Sequence, residues 1–405
     1  MRNKKNTNSK WFFYSVIFVI VLIIAEITSY LGIYVYGIAF PGRPILQTKV
    51  IYDDQSNQVN KLINGNLKLR EVIHAELGWK VKPGYNTRWD QINLKGLRSN
   101  REYSREPNEK TIRIAAFGDS FIFGSEVPNK DSWSSIVERD YKNIEILNYG
   151  VPGYGTDQAF LRYQNEGKDL NPKIVIIGFA PVNLRRSVNR YRRFMSPSNM
   201  VFFKPRFVLD KNDKIRLLKN PINSKSDYKK LLNNPKMILD VGENDQWYEP
   251  AIYENPLYDL SATVRLATTV WLRIYNRYFD ENRILDGSVF NRKSEAFKVQ
   301  TQLIEHFVKE VKKDKKIPVV VILPSEIMIS DARNGKPKVY DPVVSYLLEK
   351  GIRVEDMMDA FLKQNNQIKE ETWFMRRHYS PIGNKVIGDW IVNKIVTPEL
   401  EKIDK

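Results

Sequence analysis

Hydrophobic and polar positions divide this 405-residue chain into stretches of different period. Residues 11–42 form a nearly unbroken apolar run in which Glu26 is the only formal charge. That run exceeds the roughly 20 apolar residues needed to cross a bilayer and predicts a transmembrane helix. Shorter apolar runs at 112–117, 143–148, 173–179 and 318–324, with a brief one at 352–356, read as buried strands. Helical periodicity fills the gaps at 131–140 and 156–167. It returns after residue 381, where Val386, Ile387, Trp390, Ile391 and Ile395 share one face. Strands alternating with helices pair in parallel through right-handed crossovers. The predicted fold class is therefore α/β: a three-layer α/β/α sandwich with a mostly parallel sheet, an N-terminal transmembrane helix and a cap-like insertion.

Charge placement sets the expected topology. Arg2, Lys4, Lys5 and Lys10 precede the apolar run with no acid among them, so residues 1–10 are predicted to stay cytoplasmic and the remainder to be exported, as a single-pass protein. Glu26 has two readings, a membrane carboxylate that recruits a partner helix or a residue near the outer interface. Residues 43–110 are mixed and polar, and read as a stalk with edge elements. His74 is expected there in a helix, with a structural role. Residues 184–292 break the strand–helix alternation and read as a cap-like insertion. Its first part, 184–236, carries fifteen Lys/Arg against three Asp, a basic face suited to anionic polysaccharide or lipid head groups. Residues 263–279 read as an amphipathic helix that packs on the domain.

Composition narrows the chemistry. A chain with 42% hydrophobic and 12% aromatic residues can bury a sizeable core. The absence of cysteine excludes disulfides, thiolate zinc sites and cysteine nucleophiles. With three histidines, His74, His306 and His378, a His-rich metal centre is not expected, and no cofactor is called for. The net charge of +17 does not by itself predict nucleic-acid binding, because no reader motif accompanies it.

The first predicted strand stops at Gly118, which leaves Asp119 and Ser120 at its carboxyl end, where open α/β sheets carry their sites. A serine on such a turn suits a nucleophile. The turns after the second and third strands carry Gly153 and Asn183 to the same edge. With the N–H of Ser120, the N–H of Gly153 and the side-chain amide of Asn183 are candidate donors to an oxyanion. A nucleotide-binding turn is disfavoured, since the glycines at 153 and 155 lack a third partner and follow the second strand. His378, just before the last helix, is the candidate general base, whereas His306 belongs to a helix surface.

These residues resemble the four blocks of the SGNH hydrolases, the GDSL-like esterases and lipases, in the family's order: Gly118-Asp-Ser-Phe121, Asn148-Tyr-Gly-Val-Pro-Gly153, Gly178 through Asn183, and His378-Tyr-Ser-Pro-Ile-Gly-Asn384. The resemblance implies an SGNH, flavodoxin-like catalytic domain over 111–183 and 293–400. It further implies Ser120 as nucleophile, His378 as base, and Ser120, Gly153 and Asn183 around the oxyanion. Two positions depart from the pattern. Met375 stands where the family commonly has an aspartate three residues before the histidine, and Leu184 replaces an aspartate after the asparagine. The acid of the triad is thus unassigned, and Glu371 has no special claim to it. The implied activity is hydrolysis of O-acyl esters, O-acetyl groups of cell-envelope carbohydrate in particular, with proteins of envelope-glycan biosynthesis as partners. A polysaccharide O-acetyltransferase using the same residues and a non-catalytic glycan-binding scaffold are the alternatives.

Overall fold

The N-terminal apolar run forms one continuous helix, α1 (Lys5–Ala39), because nothing between Trp11 and Ala39 interrupts helical hydrogen bonding. Residues 10–39 have a mean hydropathy of 2.5, and their 30 positions suffice in length and composition to cross a membrane. The computed structural model describes residues 5–39, 53–65, 70–195, 200–234, 236–365 and 367–401. Residues 1–4 of the predicted tail, 40–42 of the predicted span and 43–52 of the predicted stalk lie outside the described residues. The chain separates into two units. One combines Met1–Gln55 with Trp247–Glu281, and the larger combines Ser56–Gln246 with Asn282–Lys405.

The larger unit is built on five parallel strands: β1 (Ile112–Gly118), β2 (Ile144–Gly150), β3 (Ile174–Phe179), β4 (Ile317–Ile322) and β5 (Val354–Asp356), in the order β5-β4-β3-β1-β2. All seven residues of β1 are buried, which is why its sequence runs apolar without alternating. Helices cover both faces. Between β1 and β2 lies α2 (Trp133–Asp140), and between β2 and β3 lies α3 (Thr156–Glu166). Further along come α4 (Ala262–Tyr278), which belongs to the smaller unit, then α5 (Glu295–Lys313) and α6 (Pro381–Ile391). Helices α3 and α5 pack on each other and on β1, β3 and β4, while α2 packs on α6 and β2. From β1 the chain moves first to one side and then to the other. The carboxyl ends of β1 and β3 therefore flank the switch point where such sheets open a crevice.

Three expectations change. His74 ends a strand (Glu71–His74) rather than sitting in a helix. Gly78, at φ +84°, opens the partner strand Gly78–Val81 and closes a hairpin, and a Cβ there would lie 2.4 Å from the Phe203 carbonyl oxygen. Residues 67–69 of that expected helix lie outside the described residues. The segment around this hairpin is part of the larger unit: Trp79 is fully buried, stacked on Phe202 and edge-on to Tyr154. Next, the expected basic face is partly interior. Arg190, Arg192, Arg193, Lys204 and Arg206 are buried, Lys204 against Asp157 and Arg206 against Glu295. A buried cation is tolerated only with such partners, and these acids are distant in sequence. Finally, α4 packs along α1 within the smaller unit.

Candidate active site

Glycines at the sheet's edge form the floor on which Ser120 rests. Gly118 and Gly150 are register partners at the ends of β1 and β2. A Cβ on Gly150 would lie 2.2 Å from the backbone nitrogen of Phe123, so only glycine lets the one-turn helix Ser120–Phe123 lie this close. Asp119 caps that turn: Oδ1 accepts the N–H of Phe121 at 2.9 Å, and Oδ2 accepts Arg186 Nη1 at 2.8 Å. Arg186 also donates to the Tyr154 carbonyl at 3.2 Å, which links the serine turn to the glycine turn. Asn148 adds a second link, donating to Ile122 O and Ser134 Oγ while accepting from Gly150 N.

Gly153 takes a left-handed φ of +83°. Its turn is supported from behind by Trp79, whose indole N–H donates to the Pro152 carbonyl at 3.1 Å. Ser120 is the first helical residue of its turn, a position whose N–H has no intrahelical acceptor. No hydrogen bond within the described residues takes up the N–H of Ser120 or of Gly153. Asn183, expected as a third donor, is fully buried. Oriented with its amide nitrogen toward the acceptors, it donates to Ala180 O and Asp119 Oδ2, each at 3.0 Å. One N–H thus braces the Ser120 turn through Asp119, and the other is spent on the Ala180 carbonyl within its own turn, so neither is left for the crevice.

His378, 258 positions from Ser120, places Nε2 2.7 Å from Ser120 Oγ. It sits on a hairpin in which Phe374–Met375 pairs with His378–Tyr379, so the expected loop position is in fact a short strand. Tyr379 donates to Pro324 O at 2.8 Å, and Phe121 packs against both the imidazole and the Tyr379 ring. Ser380 caps α6, and Asn384 accepts the N–H of Trp133 at 3.0 Å, tying the starts of α6 and α2 together. His306 is exposed on α5, and neither it nor His74 meets Ser120.

The residue that sequence reasoning missed is Glu126. Its Oε2 lies 3.4 Å from His378 Nδ1 and accepts the backbone N–H of Arg377 at 3.2 Å. With the Glu126 carboxylate on that side, the imidazole would carry its proton on Nδ1 and leave Nε2 to accept from the serine, an assignment made from the contacts. The Glu126 turn is itself held by Arg98, a buried guanidinium that donates to Phe123 O, Gly124 O and Val127 O, and to Asn129 Oδ1 at 3.1 Å. Burial pushes the Arg98 guanidinium down to about 10, which leaves it a cation at neutral pH. Met375 is the cross-strand partner of His378, so the position at which the SGNH pattern has an aspartate lies directly opposite the imidazole. Here that place is apolar, and a carboxylate arrives from the loop after Ser120. Glu371 is exposed on the short turn Glu370–Thr372. The only signal in the sequence was that Glu126 follows the serine block by a few residues.

No family model matches the chain. It is 36% identical over 72 residues to YqeF, an uncharacterised lipoprotein of Bacillus subtilis (strain 168), a stretch that covers 16% of this chain and 30% of that protein. Among solved structures the chain is similar to a member of the lipolytic G-D-S-L family from Veillonella parvula, with 11% identity, 71% of this chain and 100% of that one covered, and a TM-score of 0.36. It is also similar to a lipase/acylhydrolase from Enterococcus faecalis, at 13% identity, 70% and 95% coverage and a TM-score of 0.34. A catalytic mutant of an acetylxylan esterase from Geobacillus stearothermophilus aligns at 12% identity, 70% and 94% coverage and a TM-score of 0.35.

Proposed function

We propose that this chain is a membrane-anchored serine esterase that cleaves O-acyl esters, with O-acetyl groups on cell-envelope carbohydrate as the substrate class. The observation that carries the reading is the 2.7 Å contact between Ser120 Oγ and His378 Nε2 at the switch point of the sheet. Anchoring rests on α1, and the carbohydrate class on the resemblance of the four sequence blocks.

In the proposed reaction, Nε2 of His378 takes the Ser120 proton as Oγ bonds to the ester carbonyl carbon. Glu126 faces Nδ1–H, fixes the tautomer and stabilises the imidazolium that forms. The carbonyl oxygen becomes an oxyanion received by the N–H groups of Ser120 and Gly153, each such donor contributing about 10²–10³ in rate. Collapse of the tetrahedral species breaks the ester C–O bond, and His378 returns the proton to the departing sugar oxygen. Water, deprotonated by the same imidazole, then releases the acid and restores the serine. A sugar hydroxyl taking the place of that water would make the chain an O-acetyltransferase with no other change.

The test uses the full chain in detergent, with a fluorophosphonate probe and p-nitrophenyl acetate. Wild-type protein is expected to label and to turn over, and Ser120→Ala to lose labelling and on the order of 10⁴–10⁶ of the rate. An unlabelled, inactive wild-type chain would leave only a scaffold. Mass spectrometry of an added oligosaccharide separates the two enzymatic outcomes: loss of acetyl marks hydrolysis, gain marks transfer.

A further inference from the structure

Helix α4 leaves its large apolar residues bare. Its buried positions are Ala262 and Thr269, two turns apart. Its large apolar residues Trp271, Ile274, Tyr275 and Tyr278 fall at the i, i+3, i+4, i+7 spacing of one helical face. They are exposed, Trp271 by 58% and Tyr278 by 64%. Phe279 extends that face, and Leu257 and Leu260, just before the helix, are exposed as well. Arg273 and Arg277 fall away from the centre of the face. A water-soluble amphipathic helix has the opposite arrangement.

Glu26 shows where this inverted helix sits. The carboxylate accepts from Ser261 Oγ at 2.7 Å, from the N–H of Ala262, and from the N–H of Thr263 at 3.2 Å, so it caps the first turn of α4 from within α1. Ser29 and Thr263 join their hydroxyls at 3.2 Å one turn further on. On α1 the partly covered positions are Ala25, Glu26, Ser29, Ile33 and Tyr36, a single stripe leading from Glu26 toward the carboxyl end. Small and hydroxyl-bearing residues at the contact, with apolar ones outward, are the pattern of helices that associate in lipid. Glu26 lies 16 residues beyond Lys10, about 24 Å along the axis at 1.5 Å per residue, within the reach of a core about 30 Å thick. A carboxylate at that depth is costly unless it has donors, and the N-terminus of α4 supplies them.

We infer that residues 257–279 are a second membrane-seated element, with α4 lying beside α1 in the outer part of the bilayer and its Trp271, Tyr275, Tyr278 and Phe279 face turned to lipid. The occupant of that face is the bilayer itself, because the start of α4 is bonded to Glu26 within the spanning helix and both helices leave large apolar residues exposed. Trp and Tyr are the residues that membrane–water interfaces favour. The inference rests on reading α1 as the spanning anchor.

The chain has no cysteine, so one introduced thiol is a unique probe. Leu22→Cys on α1, Leu260→Cys, Tyr275→Cys and, in the larger unit, the exposed Ile327→Cys would each be spin-labelled in the full chain. Reconstitution into phosphatidylcholine/phosphatidylglycerol vesicles then allows collision rates with oxygen and with a water-soluble nickel chelate to be compared. The expected result is an oxygen-to-nickel ratio at 260 close to that at 22, and at 275, about 20 Å further along α4 and nearer the membrane–water interface, a ratio between that at 22 and that at 327. Ratios at either of those two sites matching the aqueous site, while position 22 reads as lipid, overturn the inference and leave the anchor standing. An aqueous reading at position 22 overturns the anchor, and the inference with it. Should Tyr275→Cys fail to fold, Phe279→Cys takes its place.

Discussion

Around Ser120 the polar groups are closely partnered: Asp119 meets Phe121 N, Arg186 and Asn183, and the Asn148 side chain meets Ile122 O, Phe123 O, Ser134 Oγ and Gly150 N. Around His378 the support is looser. Nδ1 has Glu126 Oε2 at 3.4 Å, beyond good hydrogen-bond range, and both flanking turns carry non-glycine residues in the left-handed region, Glu126 at φ +70° and Arg376 at φ +57°. In the proposed reaction, one side of the site holds the attacking atom still. The other holds the base near enough to work and loosely enough to swing from serine to leaving group, with a contact that can shorten when substrate binds.

Disturbing the serine side should cost both fold and function. Gly150→Ala drives a methyl into the backbone of Phe123. It is expected to lose about 1–3 kcal/mol in urea unfolding and about 10² in kcat/KM through misplacement of Ser120. On the histidine side the two quantities should separate. Glu126→Gln is expected to lose on the order of 10² in kcat with an unchanged unfolding midpoint. Glu126→Gly, which also removes the left-handed side chain, should gain about 1 kcal/mol of stability while losing activity. A sharper version moves the acid: in Glu126→Gln with Met375→Asp, a carboxylate opposite His378 should recover about tenfold of the lost kcat, whereas failure to recover would mean that Glu126 does more than face Nδ1.

The smallest effect concerns the strut behind Gly153. His74 Nδ1 accepts the Leu77 N–H at 3.2 Å in the hairpin that carries Trp79, and burial, followed by Lys80, holds its imidazole below the ordinary 6.5. The unfolded chain therefore binds the extra proton first, so this stability is complete above about pH 6.5 and is lost as the pH falls toward the folded value. Urea midpoints at pH 7.5 and 5.5 should drop less for His74→Gln than for the wild type.

Much of the frame could be read from the chain. Runs such as 112–117 and 173–179 are buried on both faces, so their apolar character is local and visible. Ser120 and His378 were legible because each stands at the edge of a strand or helix that the pattern marks. Glu126 was not, because nothing in residues 125–128 says that a hairpin 250 residues later will arrive beside it. Trp79 was hidden for the same reason, within a stretch whose polar composition read as a stalk. The buried cations looked like surface because Asp157 and Glu295, which pair with Lys204 and Arg206, lie in other elements. For α4 the amphipathic period was plain, but periodicity tells how a face is spaced and not what covers it.

The 258 positions between hydroxyl and imidazole also order events in time. Synthesis runs from the amino end, so the serine turn leaves the ribosome long before its proton acceptor is translated. In the proposed mechanism a nascent or prematurely terminated polypeptide carries an inert alcohol, and reactivity begins only once α6 docks against α2.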